Sequence, residues 1–478
     1  MAFCSQTHHC ERVRRTGSKL CIACLSAWTV LIGTPPLQAA APNTNSSLAS
    51  KPIPYVPTRH DTVRDLLWLA EVGTNDVVYD LGSGDGRVVI AAVRDFGARR
   101  AVGVELQARL VQESRENAAQ AGVAERVQFT QGDLFTNDVS PASVVVLYLG
   151  RGANVDLRAQ LVRSLKPGAR VVSHQFSMGE WTADKVLDVR TVNLGMYGEV
   201  ETEFKVNPDV PDFRGSENGP HHDVLSVWIV PAPVAGIWGG KVQMEPEEGE
   251  LSFTLHQRLS RVTGTFVFQG PTNLTGRVEA DLWGDHLRCW CIPTSRTWYV
   301  SQMWFEGHVK GDRMDGTVWT SEGNWIRQHK WLGRRDPVDL TGTWEWPGPF
   351  NSPVQLHIER REGRLAATYV DKSRVSKSAP RGDQPIPVND LYDCGGGVYF
   401  TLLLGLEGGR LSGGSRRGGP EDGWLVGEAV AAEGALKGTI AFYPCSNPVL
   451  SALRPAQPEN SPAMQTGRRD WQPKRIAP

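Results

Sequence analysis

Val77-Val78-Tyr79-Asp80-Leu81-Gly82-Ser83-Gly84-Asp85-Gly86-Arg87 is the stretch on which the fold turns. Its first five residues read as a short buried strand, and Arg87 to Phe96 carries apolar residues at helical spacing. Between them three glycines alternate with Ser83 and Asp85. A glycine-rich turn from strand to helix lets the backbone approach a ligand and directs the helix amino terminus toward it. The same alternation continues outward. Strands are expected at Arg100 to Glu105, Arg126 to Gln131, Ser143 to Leu149 and Ala169 to Phe176, and helices at Arg109 to Ala121 and Val155 to Leu165. Val200 to Val206 and Val224 to Val230 supply an antiparallel pair to close the sheet. This is the pattern of an open α/β, Rossmann-like sheet of seven strands, placed at residues 55–232.

The letters inside the turn narrow the ligand. Strand one ends in Asp80, strand two in Glu105, and Asp133 follows strand three, with spacings of 25 and 28 residues that each fit one strand plus one helix. Ligands of open α/β sheets gather at those strand ends. Asp80 suits the cationic amino-acid portion of S-adenosylmethionine, Glu105 its ribose hydroxyls, and Asp133 its adenine amino group, with Leu134 or Phe135 against the ring. Gly82, Ser83, Gly84, Asp85 and Gly86 form the cradle. Asp85 within the turn would repel a pyrophosphate, which disfavours a dinucleotide. A single such carboxylate is most often a surface group or a helix cap; three in register with the loop favour a cofactor site.

Tyr55-Val56-Pro57-Thr58, "DLGSGDGR" from Asp80, "GVEL" from Gly103, and "RVVSHQF" from Arg170 followed by Trp181 resemble the class I methyltransferases related to the lysine methyltransferase of the ATP synthase c subunit. The resemblance covers about 130 to 150 residues. It implies the seven-stranded methyltransferase sheet, S-adenosylmethionine as methyl donor, and a protein lysine as acceptor, with a small molecule as the alternative. It also implies that Tyr55 and Thr58 belong to a segment folding over the cofactor. Leu147-Tyr148-Leu149-Gly150 stands where many amino methyltransferases carry Asn/Asp-Pro-Pro-Tyr, a motif this chain lacks. Tyr148, with Asn154, His174 and Trp181 behind it, is the candidate acceptor pocket; core packing is the competing role for each residue alone. No general base stands out.

The remaining chain differs in character. Residues 1–41 carry Arg12, Arg14, Arg15 and Lys19 ahead of an uncharged run, then Leu37-Gln38-Ala39-Ala40-Ala41, which reads as an export signal or, uncleaved, as a membrane anchor. The expected location is the periplasm or cell envelope, with an anchored cytoplasmic domain as the alternative. Residues 42–54 form a polar linker. From Pro231 onward glycine, tryptophan and short alternating runs indicate two β-rich, barrel-like domains at 233–336 and 337–448, followed by a disordered tail at 449–478. Leu340-Thr341-Gly342-Thr343-Trp344 echoes Gly236-Ile237-Trp238-Gly239-Gly240, which suggests a repeat.

Trp290, Trp298, Trp304, Trp319, Trp325 and Trp331 crowd one short region, as core filling or as a binding surface. A ligand or envelope partner is thus expected for the β domains. The rival to an enzyme is an envelope-binding protein whose α/β domain is a scaffold. Cys289 and Cys291 alternate on one strand face, and Cys394 and Cys445 are either a disulfide or buried thiols. No cysteine and histidine spacing indicates a metal. A formal charge of −1 offers no basic field for nucleic acid.

Overall fold

The computed structural model describes residues 53–193, 199–205, 221–243, 248–270, 273–294, 302–322, 325–347, 353–361, 364–371, 385–388, 390–404, 423–432, 435–444, 466–471 and 473–477. Residues 1–41, read from the sequence as an export signal or anchor, nearly all of the expected linker, Trp298 and Cys445 lie outside these.

The first domain holds strands β1 (Val77–Leu81), β2 (Arg100–Glu105), β3 (Val127–Gln131), β4 (Val144–Leu147), β5 (Arg170–His174), β6 (Lys185–Asn193), β7 (Glu199–Lys205) and β8 (His221–Ile229). Its helices are α1 (His60–Leu69), α2 (Arg87–Arg94), α3 (Ala108–Gln120) and α4 (Arg151–Ser164). The sheet order is β3-β2-β1-β4-β5-β8-β6-β7, parallel through β5 and antiparallel beyond. The order reverses between β1 and β4, so the turn after β1 opens at the switch point where such sheets bind ligands. The seven-strand frame is present, with β7 as an eighth strand on the edge. One expectation is corrected: the partner of β8 is β6, and the strand near residue 200 pairs outside β6. Asp188 and Arg190 interrupt the apolar run there, so β6 lacked a clean strand signature.

The two faces of this sheet are covered differently. Val78, Val144, Val146 and Val172 pack beneath Val63 and Leu66 of α1, Val89 and Val93 of α2, and Val111 of α3. On the opposite face Val77, Tyr79, Leu81 and Val145 pack against Leu157 and Leu161 of α4. That second core continues into Ala235 and Leu259 of the next domain and Tyr392, Cys394 and Tyr399 of the last. The β domains therefore complete the sheet's hydrophobic layer.

Strands β9 (Gly236–Val242), β10 (Gly249–Arg258), β11 (Arg261–Gln269), β12 (Leu274–Trp283), β13 (His286–Pro293), β14 (Gln302–Lys310), β15 (Arg313–Glu322) and β16 (Trp325–Arg335) close into a barrel through antiparallel pairing of β16 with β9. Alternation turns Leu251, Phe253, Phe266, Cys289, Cys291 and Phe305 inward, where Trp331 meets Phe253 and Phe305 edge-on at 5.3 and 5.1 Å. Side chains thus fill an interior of this small size. The last domain is a ten-stranded sheet running from Gly342–Pro347 to Lys474–Ala477.

The suspected repeat has a physical basis. Trp238 and Trp344 each donate an indole hydrogen bond to a carbonyl four residues back, on Val234 and Leu340, at 2.8 and 3.0 Å. Each follows a glycine with positive φ, Gly236 and Gly342. Each lies under an arginine of its domain's final paired strand, Arg335 at 4.5 Å and Arg475 at 5.8 Å. One further expectation is corrected, and of the two states left open for Cys394 one is found. Thr466–Trp471 and Lys474–Ala477 form strands where a disordered tail was expected; pairing of the first with Ala435–Pro444 and of the second with Gly342–Pro347 overrides their polar composition. Cys394 is a free, buried thiol.

One buried ion cluster crosses all three domains. Glu180 accepts from Arg158 of α4 at 3.0 Å and from Arg258 of β10 at 2.6 Å. Arg158 also donates to the Tyr392 hydroxyl at 3.0 Å, and the Arg258 guanidinium lies over the Tyr399 ring at 5.5 Å. Burial alone would raise the Glu180 carboxyl, but the two arginines hold it below the usual range.

Candidate cofactor and acceptor site

Asp80, the last but one residue of β1, is buried opposite Gly103 of β2 and Val146 of β4. Burial, then the charges of Glu105 and Asp85, push its carboxyl up to about 8. A cationic group brought here would reverse that displacement.

The loop geometry depends on its glycines at two points. Gly84 has φ of +53°, and a Cβ there would lie 2.4 Å from the Tyr55 ring, so the amino-terminal segment rests directly on the loop backbone. A Cβ on Gly103 would lie 2.6 Å from the Ser83 hydroxyl and 2.7 Å from Phe129, which makes the β2 glycine part of the loop's support. Glu105 fastens the turn: one carboxylate oxygen accepts from the Gly84 N–H at 3.0 Å and the other from the Gln107 N–H at 2.9 Å. Each oxygen keeps a further lone pair. The Ser83 hydroxyl is buried with no hydrogen-bond partner.

Asp85 has a different place from the one its sequence position suggested. It pairs with Arg87 at 2.6 Å, and the Tyr55 hydroxyl bonds to it. Burial would raise its carboxyl, but the Arg87 contacts bring it below the ordinary value. Arg87 in turn donates to the Thr58 carbonyl at 2.6 Å. Asp85 is therefore ion-paired, and together with Arg87 it ties Tyr55 and Thr58 down over the loop. Arg87, at the end of the quoted motif, is a fastening residue that sequence reasoning passed over.

Asp133 sits exposed at the rim, where its carboxylate accepts from the Phe135 N–H at 2.9 Å. Leu134 and Phe135 are partly buried against the core behind it.

The loop also touches the next strand end: a Cβ on Gly82 would lie 2.7 Å from Leu149. Beside Leu149, Tyr148 stacks on His174 at 4.1 Å and on Phe176 at 6.0 Å. Burial, then Asp223, raises the Tyr148 hydroxyl above its ordinary range. His174 Nε2 lies 3.0 Å from the Asp223 carboxylate, whose other oxygen accepts from the Thr62 hydroxyl at 2.7 Å. Thr62 and Asp223 stand 161 residues apart, a distance across which the sequence gives no signal. Asn154 donates to Ser173 and to the Phe176 carbonyl, both at 2.9 Å, and so braces the turn after β5. Trp181 packs in the core beside Trp228, the competing role the sequence left open for it. A cavity of about 280 Å³ lies elsewhere, at the domain joint between Arg163, Leu259 and Leu391. Among the described residues there is no cluster of three metal-ligating side chains.

A switch-point loop carrying a buried carboxylate for a cation, an orphaned hydroxyl and a fixed second carboxylate fits a sulfonium amino acid joined to a nucleoside. This defines an S-adenosylmethionine-dependent methyltransferase. Residues 80–185 match the model of the ANTKMT methyltransferase domain. A protein-lysine N-methyltransferase of Saccharolobus islandicus (strain REY15A) is 42% identical over 142 residues, covering 30% of this chain and 88% of that relative. The lysine N-methyltransferase of the ATP synthase c subunit from Homo sapiens is 31% identical over 181 residues, 38% of this chain and 72% of the relative. A solved RNA methyltransferase from Salinibacter ruber, in complex with S-adenosyl-L-homocysteine, is 43% identical, covering 37% of this chain and 96% of that one, with a TM-score of 0.29. The chain belongs to the protein-lysine N-methyltransferase family that carries the ANTKMT domain.

Proposed function

We propose that this enzyme methylates the side-chain amine of a lysine in a protein partner, the acceptor entering over Tyr148, His174 and Phe176. The observation that carries this is the aromatic stack at the ends of β4 and β5, with His174 buried and Tyr148 and Phe176 partly buried, in contact through Leu149 with the Asp80 loop. When bound, S-adenosylmethionine supplies a sulfonium methyl for in-line displacement. The protein's work is alignment and exclusion of water. Asp80 would face the ammonium of the cofactor's amino-acid portion, Ser83 its carboxylate, Glu105 the ribose hydroxyls, and Asp133 with Leu134 the adenine. Tyr55 and Thr58, held by the Asp85–Arg87 pair, would close over it. The aromatic faces around Tyr148 accommodate the aliphatic stem of a lysine and, by reducing hydration of its ammonium, favour the neutral amine that reacts.

Incubating the full chain with methyl-labelled cofactor and cell extracts tests this. Label recovered as methyl-lysine in protein is the expected result; label confined to small molecules would replace the acceptor class. The signal-like residues before Ala41 support export to the cell envelope as part of the proposal. A reporter fused to residues 1–50 that stayed cytosolic would remove it.

A further inference from the structure

The outer wall of the barrel carries an ordered row of indoles, on a sheet separate from the one that holds the cofactor loop. Trp290 of β13 stands opposite Trp304 of β14, and Trp304 opposite Trp319 of β15. The same row ends in Glu279 on β12 and Gln328 on β16. Their strand neighbours Cys289, Cys291, Met303, Phe305 and Val318 are buried in the barrel, so strand alternation turns the indoles outward. The rings of Trp304 and Trp319 are parallel within 3°, with centroids 5.8 Å apart, and Trp290 is 42% exposed. Core filling explains Trp238 and Trp331 but not these three. Trp290 is exposed and Trp304 and Trp319 are partly buried beside it; single exposed apolar residues are ordinary, but an exposed indole continuous with a stacked pair on adjacent strands marks an interaction site.

We propose that this row binds a neutral glycan chain. Indole faces take the apolar C–H face of a pyranose ring, and Glu279 and Gln328 supply planar acceptors and donors for hydroxyls at the two ends of the same row. Neighbouring strands lie about 4.8 Å apart, so three indoles reach across roughly 10 Å, enough for about two sugar rings. Charge selects among occupants. The adjoining row, Asp281–Arg288–Glu306–Thr317–Lys330, holds two acids and two bases, and Arg288 is paired with Glu306 at 2.9 Å. Nucleic acid and anionic lipid require a basic excess, which this wall does not have. A hydroxyl-rich, uncharged polymer matches a surface that is aromatic at its centre and charge-balanced beside it.

The test is native electrophoresis of the full chain through gels containing hydroxyethylcellulose, glucomannan or glycol chitin, with tryptophan fluorescence titration by the matching oligosaccharides. At least one polymer should retard the wild type, and Trp290→Ala should weaken binding tenfold or more, with unchanged circular dichroism and unchanged cofactor affinity. Trp304→Ala should act in the same direction. No retardation by any of the three polymers would overturn the proposal, as would equal retardation of Trp290→Ala. Binding to phosphatidylglycerol vesicles in place of glycan, or a dimer lost on Trp290→Ala, would likewise overturn it and assign the face to a membrane or to a second copy.

Discussion

Asp80 and Glu180 are both buried carboxylates in one chain, and their surroundings send them in opposite directions. Glu180 sits between Arg158 and Arg258 and is held ionised. Asp80 has Glu105 and Asp85 for charged neighbours and is pushed up to about 8. Burial is common to both, so it cannot be what separates a structural acid from a functional one. The deciding difference is whether the protein itself supplies the cation. At the domain joint it does, and the charge is spent on holding three domains together. At the switch-point loop it does not, and in the proposed function that cation is the ammonium of the cofactor.

The largest effect expected from this contrast lies at the joint. Glu180→Ala would leave two arginines buried without their acid, a change that costs about 3–5 kcal/mol in comparable buried pairs. Urea unfolding should show the loss, and limited proteolysis should cut between the domains. A variant as stable as the wild type would break the comparison. The pH dependence has a definite sign: the native carboxyl lies below its unfolded value, so the stabilisation is complete above about 4.5 and is lost as the pH falls through the native value.

At Asp80 the sign is opposite, and stability and function should separate. The native carboxyl near 8 lies above its unfolded value of 3.8, so the folded chain holds an extra proton between them. Raising the pH through that window therefore weakens the fold. Asp80→Asn should remove this slope and raise the urea midpoint at pH 8 relative to the wild type. The same substitution should cost cofactor affinity: truncating one side of a buried charged contact costs about 2–5 kcal/mol, at least about thirtyfold, readable by calorimetry. In the wild type the affinity should fall roughly tenfold per pH unit below about 8, as the carboxylate takes up its proton. Wild-type affinity in Asp80→Asn would show that the buried acid is not the cation's partner.

How much of this was legible in the sequence follows from the range of the interactions. The loop, its glycines and the carboxylates at 80 and 105 lie within one or two strand-helix units, so period and spacing place them. The closing strands were harder, because β6 carries Asp188 and Arg190 where an apolar run was sought. Asp85 was located correctly but assigned an open charge, since its pairing with Arg87 is a matter of side-chain direction. The Thr62–Asp223–His174 chain and the Arg158–Glu180–Arg258 cluster join residues from distant elements, and no local pattern encodes either. The tryptophans show the same limit: composition announced them, but only cross-strand register separates Trp331 inside the barrel from Trp290 and Trp304 outside.

The smallest effect tests the fastening of the loop, where the comparison becomes one of neutral and charged partners. Tyr55→Phe keeps the ring that rests on Gly84 and removes only the hydroxyl bonded to Asp85. One hydrogen bond to a charged group contributes about 1.5–3 kcal/mol, so cofactor affinity should fall at least about tenfold. Gly84→Ala attacks the same contact from below, since its Cβ would lie 2.4 Å from that ring on a backbone with positive φ. It should therefore weaken binding more than Tyr55→Phe does. If the order were reversed, the segment from Tyr55 to Thr58 would be held by its hydroxyl and not by its packing, and the Asp85–Arg87 pair would be the principal clasp over the cofactor.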